Sequence, residues 1–266
     1  MEMYIHARRS CTEKPIVRTE QMHSHNSYEI FFLVEGDTDY CVEGSRYHLT
    51  PGDIVLMRKG EVHIFQLRSA VRYERMCVNF EISKILEMTD SSRLLSVFNE
   101  RPLGKFNHYR TDLFPGNHWY EYMDKMCSTD DKGIQLCYLL PLLNDLTDGM
   151  KTVVDAPTIA EKDRTASIIK FINSRLTDDL SLDILSEHFY ISKAHLNRIF
   201  KQATGTTAWE YITIKRLFLA KEMIDVGKTP GEVFQSCGFR DYTTFFRAFK
   251  RHFGCSPKEH FLKNCF

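Results

Sequence analysis

The chain has 266 residues, 43% hydrophobic and 26% charged, with 35 basic side chains balanced by 35 acidic ones. That is globular composition, long enough for two ordinary cores, and it excludes a disordered, collagen-like or disulfide-framework protein. From Thr158 onward 17 Lys and Arg stand against 12 Asp and Glu, so an anionic partner belongs to the basic last third and not to the acidic remainder.

The first 20 residues are mixed and polar, and read either as an arm or as a frayed terminus. From Tyr28 to Phe80 short strand-like runs follow at even spacing: Tyr28 to Val34, Tyr40 to Val42, Arg46 to Leu49, Asp53 to Met57, His63 to Leu67 and Arg75 to Phe80. Turn-favouring groups such as Glu35-Gly36-Asp37, Glu43-Gly44-Ser45 and Thr50-Pro51-Gly52-Asp53 separate them, which predicts a small barrel or sandwich. From Ser83 the period becomes helical, predicting three helices through Ile85 to Phe98, Trp119 to Met126 and Ile134 to Leu146. The Leu-rich stripe of Lys132 to Asp148 can pair with a second copy or pack against the barrel, and dimerisation is the reading preferred. Gly149 to Glu161 reads as a linker.

After the linker, Asp163 to Leu176 predicts a helix with Ile168, Ile169 and Ile172 on one face. A pattern that begins at Leu180 then returns 49 residues later: Ile184/Val233, Leu185/Phe234, Tyr190/Phe239, Leu196/Phe245, Arg198/Arg247, Phe200/Phe249, Lys201/Lys250, Gly205/Gly254 and Glu210/Glu259 fall into register. Each copy reads as a short helix, a tight turn and a longer helix, and a rod of about 30 Å from Thr207 to Val226 joins them. With Ser192 and Asp241 as N-caps, the buried stripes are Leu196, Ile199 and Phe200 in one copy and Phe245 and Phe249 in the other. That phase turns Ala194, Asn197, Arg198 and Lys201 outward, and likewise Thr243, Phe246, Arg247 and Lys250. Arginine pairs with guanine, asparagine with adenine, and an apolar edge meets the thymine methyl, while Lys201, Lys250 and Arg251 suit phosphates. Two double-stranded-DNA reading units in one chain are thereby predicted. The competing interpretation is a pair of merely solvated helix faces.

The eight cysteines are scattered with no Cys-x-x-Cys pair and no secretory leader, so reduced thiols in the cytoplasm are expected. The longest apolar run, Leu136 to Leu143, is too short to cross a bilayer.

Over about Thr165 to Phe261 the chain resembles the AraC/XylS family of transcription regulators. The likeness is strongest in the thirteen residues from Leu180 to Ser192, in Leu196-Asn-Arg-Ile-Phe-Lys201, in Cys237-Gly-Phe-Arg-Asp-Tyr242, and from Phe245 to Pro257. The resemblance implies seven helices, with both recognition helices entering successive major-groove segments, and a promoter and RNA polymerase as partners. It favours activation, and family members with sensor domains favour a homodimer. Phe234 departs from the family, which has a small residue there.

His23-Ser-His25, then Glu29, Gly36 and later His63, resemble a cupin barrel. Three imidazoles and a carboxylate can hold a divalent metal with open positions. The alternative is a polar lining of a ligand pocket with no cofactor, which is how sensor domains of the family often keep such histidines. Arg58 replaces the proline usual in the second cupin motif, and its charge would suit an anionic ligand or simply face solvent. Tyr28, Phe32, Tyr40, Tyr47, Phe65 and Tyr73, where they point inward, can stack on a sugar or a ring; otherwise they are core. The ligand-binding candidates are His23, His25, Glu29, Tyr40 and His63.

The expected architecture is α+β and multidomain: a cupin-like sensor barrel with an N-terminal arm over 1–100, a helical dimerisation segment over 101–150, a linker over 151–162, and an all-α tandem helix-turn-helix domain over 163–266. The expected function is a DNA-binding regulator answering to a small molecule, for which a sugar is one candidate, with no catalytic residues. A metal-dependent cupin enzyme fused to a DNA-binding domain, and a regulator without any effector, are the alternatives.

Overall fold

Eight strands and eleven α-helices occupy the residues that the computed structural model describes, 4–17, 23–89, 91–153, 164–204 and 206–264. The strands are β1 (Tyr4–Thr12), β2 (Tyr28–Glu35), β3 (Thr38–Val42), β4 (Ser45–Leu49), β5 (Ile54–Met57), β6 (His63–Leu67), β7 (Tyr73–Glu81) and β8 (His108–Tyr109). They form a five-stranded sheet in the order β1-β7-β2-β5-β8 and a three-stranded sheet in the order β4-β3-β6. β2 reads as one continuous apolar run because both its faces are covered. Phe31 and Leu33 point to the core between the sheets, with Tyr40, Tyr47, Phe65, Tyr73 and Cys77. Tyr28, Ile30 and Phe32 point the other way, into a core shared with helices. The sheet alternation therefore removes Tyr28 and Phe32 from the aromatic residues expected inside the barrel.

β1 was not expected. All nine of its residues pair with β7, from Tyr4 opposite Glu81 to Thr12 opposite Tyr73, so residues 4–12 are an edge strand and neither an arm nor a frayed end. Only Ile5 is buried on it, and one buried residue in nine leaves no alternating signal to read. Arg9 ties the strand down through Glu74 and Asp124, at 2.5 and 2.6 Å.

The helical stretch expected from Ile85 to Phe98 is broken into α1 (Ser83–Met88), a 3-10 turn at Ser92–Leu95 and α2 (Ser96–Asn99). α3 (Trp119–Cys127) and α4 (Lys132–Asp148) follow as expected, α4 starting on the Asp131 carboxylate, which accepts from the N–H groups of Gly133 and Ile134. The stripe Leu139, Leu142, Leu143 and Leu146 is fully buried in the core shared with the five-stranded sheet. Each leucine contributes about 2 kcal/mol there, so this stripe is not free to meet a second copy. Residues 101–118 also fold onto the sheets, through β8 on β5 and through Tyr47, whose hydroxyl donates to the Gly104 carbonyl at 3.2 Å. The contacts accordingly place 101–150 in the same compact unit as the strands, Met1–Ala160. Of the expected linker, 151–153 close that unit with Val153 in its core, and the rest lies outside the described residues.

The second unit, Glu161–Phe266, holds the seven helices implied by the resemblance: α5 (Arg164–Ser174), α6 (Leu182–His188), α7 (Lys193–Thr204), α8 (Ala208–Asp225), α9 (Pro230–Ser236), α10 (Tyr242–Phe253) and α11 (Pro257–Asn264). Asp163, where the first of these helices was expected to start, lies outside the described residues, as does Gly205. Helix starts are fixed by capping boxes, Thr207 with Glu210 and Thr229 with Glu232, and reciprocal bonds between Ser256 and Glu259 repeat the device. α8 is one continuous rod that serves two cores. Tyr211 packs edge-on to Phe200 of α7, while Leu217, Ala220 and Ile224 join Val233, Phe245 and Phe249.

Candidate functional site

The two helix-turn-helix units are built alike at their second helices. Ser192 Oγ accepts from His195 N–H at 3.2 Å and Asp241 Oδ1 from Thr244 N–H at 2.7 Å, so each long helix begins on a side-chain cap. Leu196 and Phe200, and Phe245 and Phe249, are fully buried beneath them. Ala194, Arg198, Lys201, Thr243, Arg247, Lys250 and Arg251 are exposed, and Asn197 and Phe246 half-buried at the margin of the same faces. Arg198 Nη2 lies 3.0 Å from His195 Nδ1, and the Asn197 Oδ1 acceptor is buried with no protein partner.

The charges on these faces differ from those around them. Lys193 pairs with Asp183, Lys221 with Asp225 and Arg240 with Asp179. Among the described residues no ion pair engages Arg198, Lys201, Arg247, Lys250 or Arg251. Five cations on two matching faces are thus free of any close carboxylate among the described residues, which suits contact with a polyanion.

The 49-residue register holds for the second helices but not for the first. The caps Ser181 and Thr229, the buried Leu185 and Val233, and the left-handed turn residues Tyr190 (φ 53°) and Gly238 (φ 84°) are 48 apart. Ile191 N–H reaches the Ser186 carbonyl as Phe239 N–H reaches that of Phe234, both at 3.0 Å. Between that point and the N-cap stands Ile191 in one unit, but Phe239 and Arg240 in the other, so the second turn is one residue longer. Phe234 corresponds to the small Ser186, and its ring is accommodated edge-on against Tyr242, 5.6 Å away at the start of α10.

In the first unit the sequence-distant His23, His25 and His63 come together. An isolated bridge pairs His23 with His63, the ring centroids are 4.4 to 5.2 Å apart, and one nitrogen from each lies within 4.8 Å of the others. Glu29 is buried beside them, accepting from Asn79 Nδ2 at 2.9 Å and lying 2.8 Å from His25 Nε2. Burial alone would raise the Glu29 pKa, but the His25 hydrogen bond, the charges of His63 and His25, and Asn79 hold it at about 2. Burial lowers His63 to about 4 against the pull of Glu29, so its ring is neutral near pH 7. His63 Nδ1 is 2.9 Å from the Glu61 carbonyl, which can only accept, so the proton sits on Nδ1 and Nε2 carries a bare lone pair. That Nε2 is buried without a hydrogen-bond partner and faces Glu29 Oε2 at 3.7 Å. Two acceptors opposed in a low dielectric repel, and a proton donor or a cation between them would relieve the conflict. The three imidazoles are therefore close enough together to fit a divalent metal, with Glu29 beside His25 and His63.

Tyr40, another ligand candidate, is 1% exposed, with its ring stacked 6.0 Å from His63 and 6.3 Å from Phe65. Arg58 does not hang free. Its Nη1 donates to the Arg101 carbonyl at 3.2 Å and its backbone N–H to Glu61 Oε2 at 3.0 Å. The charge that does enter the inter-sheet core is Arg75, which no motif marked. Only its inward phase on β7, between Tyr73 and Cys77, could have shown it.

Seven cysteines are free thiols, and Cys265 lies outside the described residues. No helix among the described residues is long and apolar enough to cross a membrane.

Comparison with known proteins matches the helix-turn-helix domain family to residues 185–262 and the AraC-like ligand binding domain family to residues 15–120. The HTH-type transcriptional activator RhaS of Yersinia pestis bv. Antiqua (strain Angola) is 23% identical over 254 residues, covering 89% of this chain and 87% of that one. The uncharacterized HTH-type transcriptional regulator YbfI of Bacillus subtilis (strain 168) is 24% identical over 232 residues, covering 86% and 82%. Among solved structures, ToxT from Vibrio cholerae O395 is similar with 12% identity over 97% of each chain and a TM-score of 0.41.

Proposed function

The chain is an AraC-family transcription regulator, a DNA-binding protein with an N-terminal domain for a small molecule, and not an enzyme; from this premise we propose that it activates transcription in the cytoplasm as a homodimer at a promoter. α7 and α10 read successive major-groove segments. Arg198 and Arg247 pair with guanine, Asn197 with adenine, and Ala194, Thr243 and Phe246 meet thymine methyls. Lys201, Lys250 and Arg251 hold phosphates. The observation that carries this reading is the pair of matching helix faces whose cations form no ion pair among the described residues. Activation, with RNA polymerase as the recruited partner, is supported by the relative named as an activator.

The dimer does not use the buried leucines. The other side of α4 carries exposed Ile134 and Cys137 with half-buried Pro141, an apolar face at helical spacing that a second copy would cover. The effector acts by binding one arrangement of the protein more tightly than another, which is all that a ligand can do to an equilibrium.

One titration series tests these assignments. Full-length protein on a promoter duplex is expected to bind as two chains per duplex. Arg198→Ala should narrow the gap between cognate and single-base-changed sites by about 1–3 kcal/mol, whereas Lys201→Ala should weaken every sequence alike and reduce the salt slope by about one ion. Identical effects of the two substitutions, or one chain per duplex, would contradict the scheme.

A second reading concerns the histidines, and rests on the unpartnered His63 Nε2. His23, His25, His63 and Glu29 would hold a divalent transition metal, which when bound supplies open coordination positions for an oxygen or nitrogen of the effector. Asn79 orients Glu29 and the Glu61 carbonyl orients His63, as outer partners of metal ligands do. Elemental analysis of the purified protein should then give about one metal per chain, lost in His63→Gln; a metal-free protein that takes up no zinc on dialysis would remove this reading.

A further inference from the structure

The inward charges of the first unit are partnered with one exception. Glu29 has His25 and Asn79, Glu61 has Arg101, and Asp53 has His108. Arg75 on β7 has no carboxylate partner among the described residues. Its register partners, Leu33 on β2 and Ser10 on β1, place it on the face that looks between the two sheets. Its guanidinium lies 4.5 Å from the centre of the Phe65 ring and 5.6 Å from that of Tyr73. The polar contact it does make is a long one, Nη1 donating to Tyr73 Oη at 3.4 Å, and its Nε is buried with no acceptor. Arg8, opposite Cys77 on β1, shares this face one pair further along, is exposed, and likewise forms no ion pair among the described residues.

The rings of His63, Tyr40, Phe65 and Tyr73 make a ladder with spacings of 6.0, 6.3 and 5.8 Å. Its His63 end lies against the ionised Glu29, and its Tyr73 end lies against Arg75. An anion is attracted at the second end, where Arg75 has no carboxylate partner among the described residues. A planar guanidinium whose Nε has no acceptor, close to two rings, can take a carboxylate through two parallel hydrogen bonds.

We propose that Arg75, with Arg8 beside it, is the anion-reading end of the effector site, and that the effector is a small carboxylate on an apolar, ring-bearing body. This rests on the reading of the first unit as a small-molecule sensor and narrows it, because a neutral sugar, whose hydroxyls can accept from Nε, would leave the guanidinium charge without a counter-charge. The anionic ligand that Arg58 suggested is thereby assigned to a different arginine.

The test is thermal melting of the full chain with two acids, 3-phenylpropionate and 4-hydroxyphenylacetate, each against its primary amide, and with a neutral hexose. The acids are expected to raise the melting temperature and the amides and hexose not to. Arg75→Gln should weaken acid binding about tenfold or more and abolish the preference for acid over amide, a readout that a merely structural arginine would not move. Arg75→Lys keeps the charge without the fork and should retain the preference at reduced affinity, which keeps the test available if the glutamine variant does not fold. Amides or hexose stabilising as well as acids, acids binding the variants as tightly as the unaltered protein, or no acid stabilising at all would each overturn the proposal. Stabilisation by the hexose that ignores Arg75 would leave the sensor reading standing; DNA affinity indifferent to every bound probe would remove that reading instead.

Discussion

Arg101→Leu is expected to lower the melting temperature of the first unit by about 10 °C, from a loss of about 3–5 kcal/mol. The pair it breaks is 3% and 0% exposed, with Arg101 Nη2 on Glu61 Oε2 at 2.6 Å and Nη1 on Oε1 at 2.8 Å. Glu61 is further held by the N–H groups of Gly104 and Arg58 and by Asn107 Nδ2, and Arg101 by the carbonyls of Val97, Leu56 and Lys105. Removing the guanidinium leaves a buried carboxylate without its close counter-charge and takes a donor from three carbonyls, of which that of Leu56 keeps Asn107 Nδ2 at 2.7 Å, and desolvation makes that far costlier than the loss of a surface pair. Replacing both residues, Glu61→Met with Arg101→Leu, should restore most of the stability, since no fully buried charge is then left unpaired and Arg58, 3.9 Å from Glu61 Oε1, is partly exposed to water. Burial would raise Glu61, but the bonds and charge of Arg101, then the Gly104 and Arg58 N–H groups, hold it below the usual carboxylate range. Its folded pKa being depressed, this stabilisation is present above about pH 4.5 and disappears as pH falls through the lower folded value. The double variant should therefore show a flatter acid limb in urea unfolding, and an unchanged limb would mean that the pair does not govern it.

Arg216→Met should cost the second unit about 2–4 kcal/mol and weaken DNA binding beyond that loss of folded protein. Arg216 sits in the middle of α8, 4% exposed, and its Nε and Nη2 donate to the carbonyls of Leu176 and Asp178 at 2.9 and 2.7 Å. Those carbonyls lie just before the first helix-turn-helix unit, while the other side of the guanidinium touches the turn of the second. A Cβ on Gly238 would come within 2.8 Å of Arg216 Nε. One side chain thus fixes both heads to the rod between them. Methionine keeps most of the volume but takes the donors from two part-buried carbonyls, of which that of Asp178 keeps the Leu180 N–H at 2.7 Å, and the lost bonds cost about 1–3 kcal/mol each before relaxation. Gly238→Ala attacks the same contact from the other side and adds strain at φ 84°. Hydrogen exchange read separately over 164–204 and 206–264 checks both variants: loss of protection in both segments is expected, and loss confined to one would show that the heads are held independently.

The elements that repeat or alternate were legible. Six strands from Tyr28 to Phe80 and the tandem helices stand out because many residues obey one period together. β1 was hidden because an edge strand buries one residue, and the stretch after Ser83 read as one helix because its apolar spacing survives the break at the 3-10 turn. The histidines and Glu29 could be named as a group because their motif is local. Arg75, Arg101 and Arg216 could not, since each follows another charged residue, Glu74, Glu100 and Lys215, and nothing local sets it apart. The Glu61 that explains Arg101 is 40 residues away, and the carbonyls that explain Arg216 are 40 and 38 away. Leu139 to Leu146 shows the converse: its pattern was plain, but an amphipathic stripe does not say what covers it.

The extra residue before Asp241 means that the two heads are not interchangeable parts. Each reading helix leaves its supporting helix at an angle set by its own connection, so a sequence transplanted from α7 into the place of α10 would arrive rotated and displaced relative to the duplex. The halves of a recognition box are then free to differ in letters and in phase, and a search for binding sites should weigh the two halves independently instead of looking for a direct repeat.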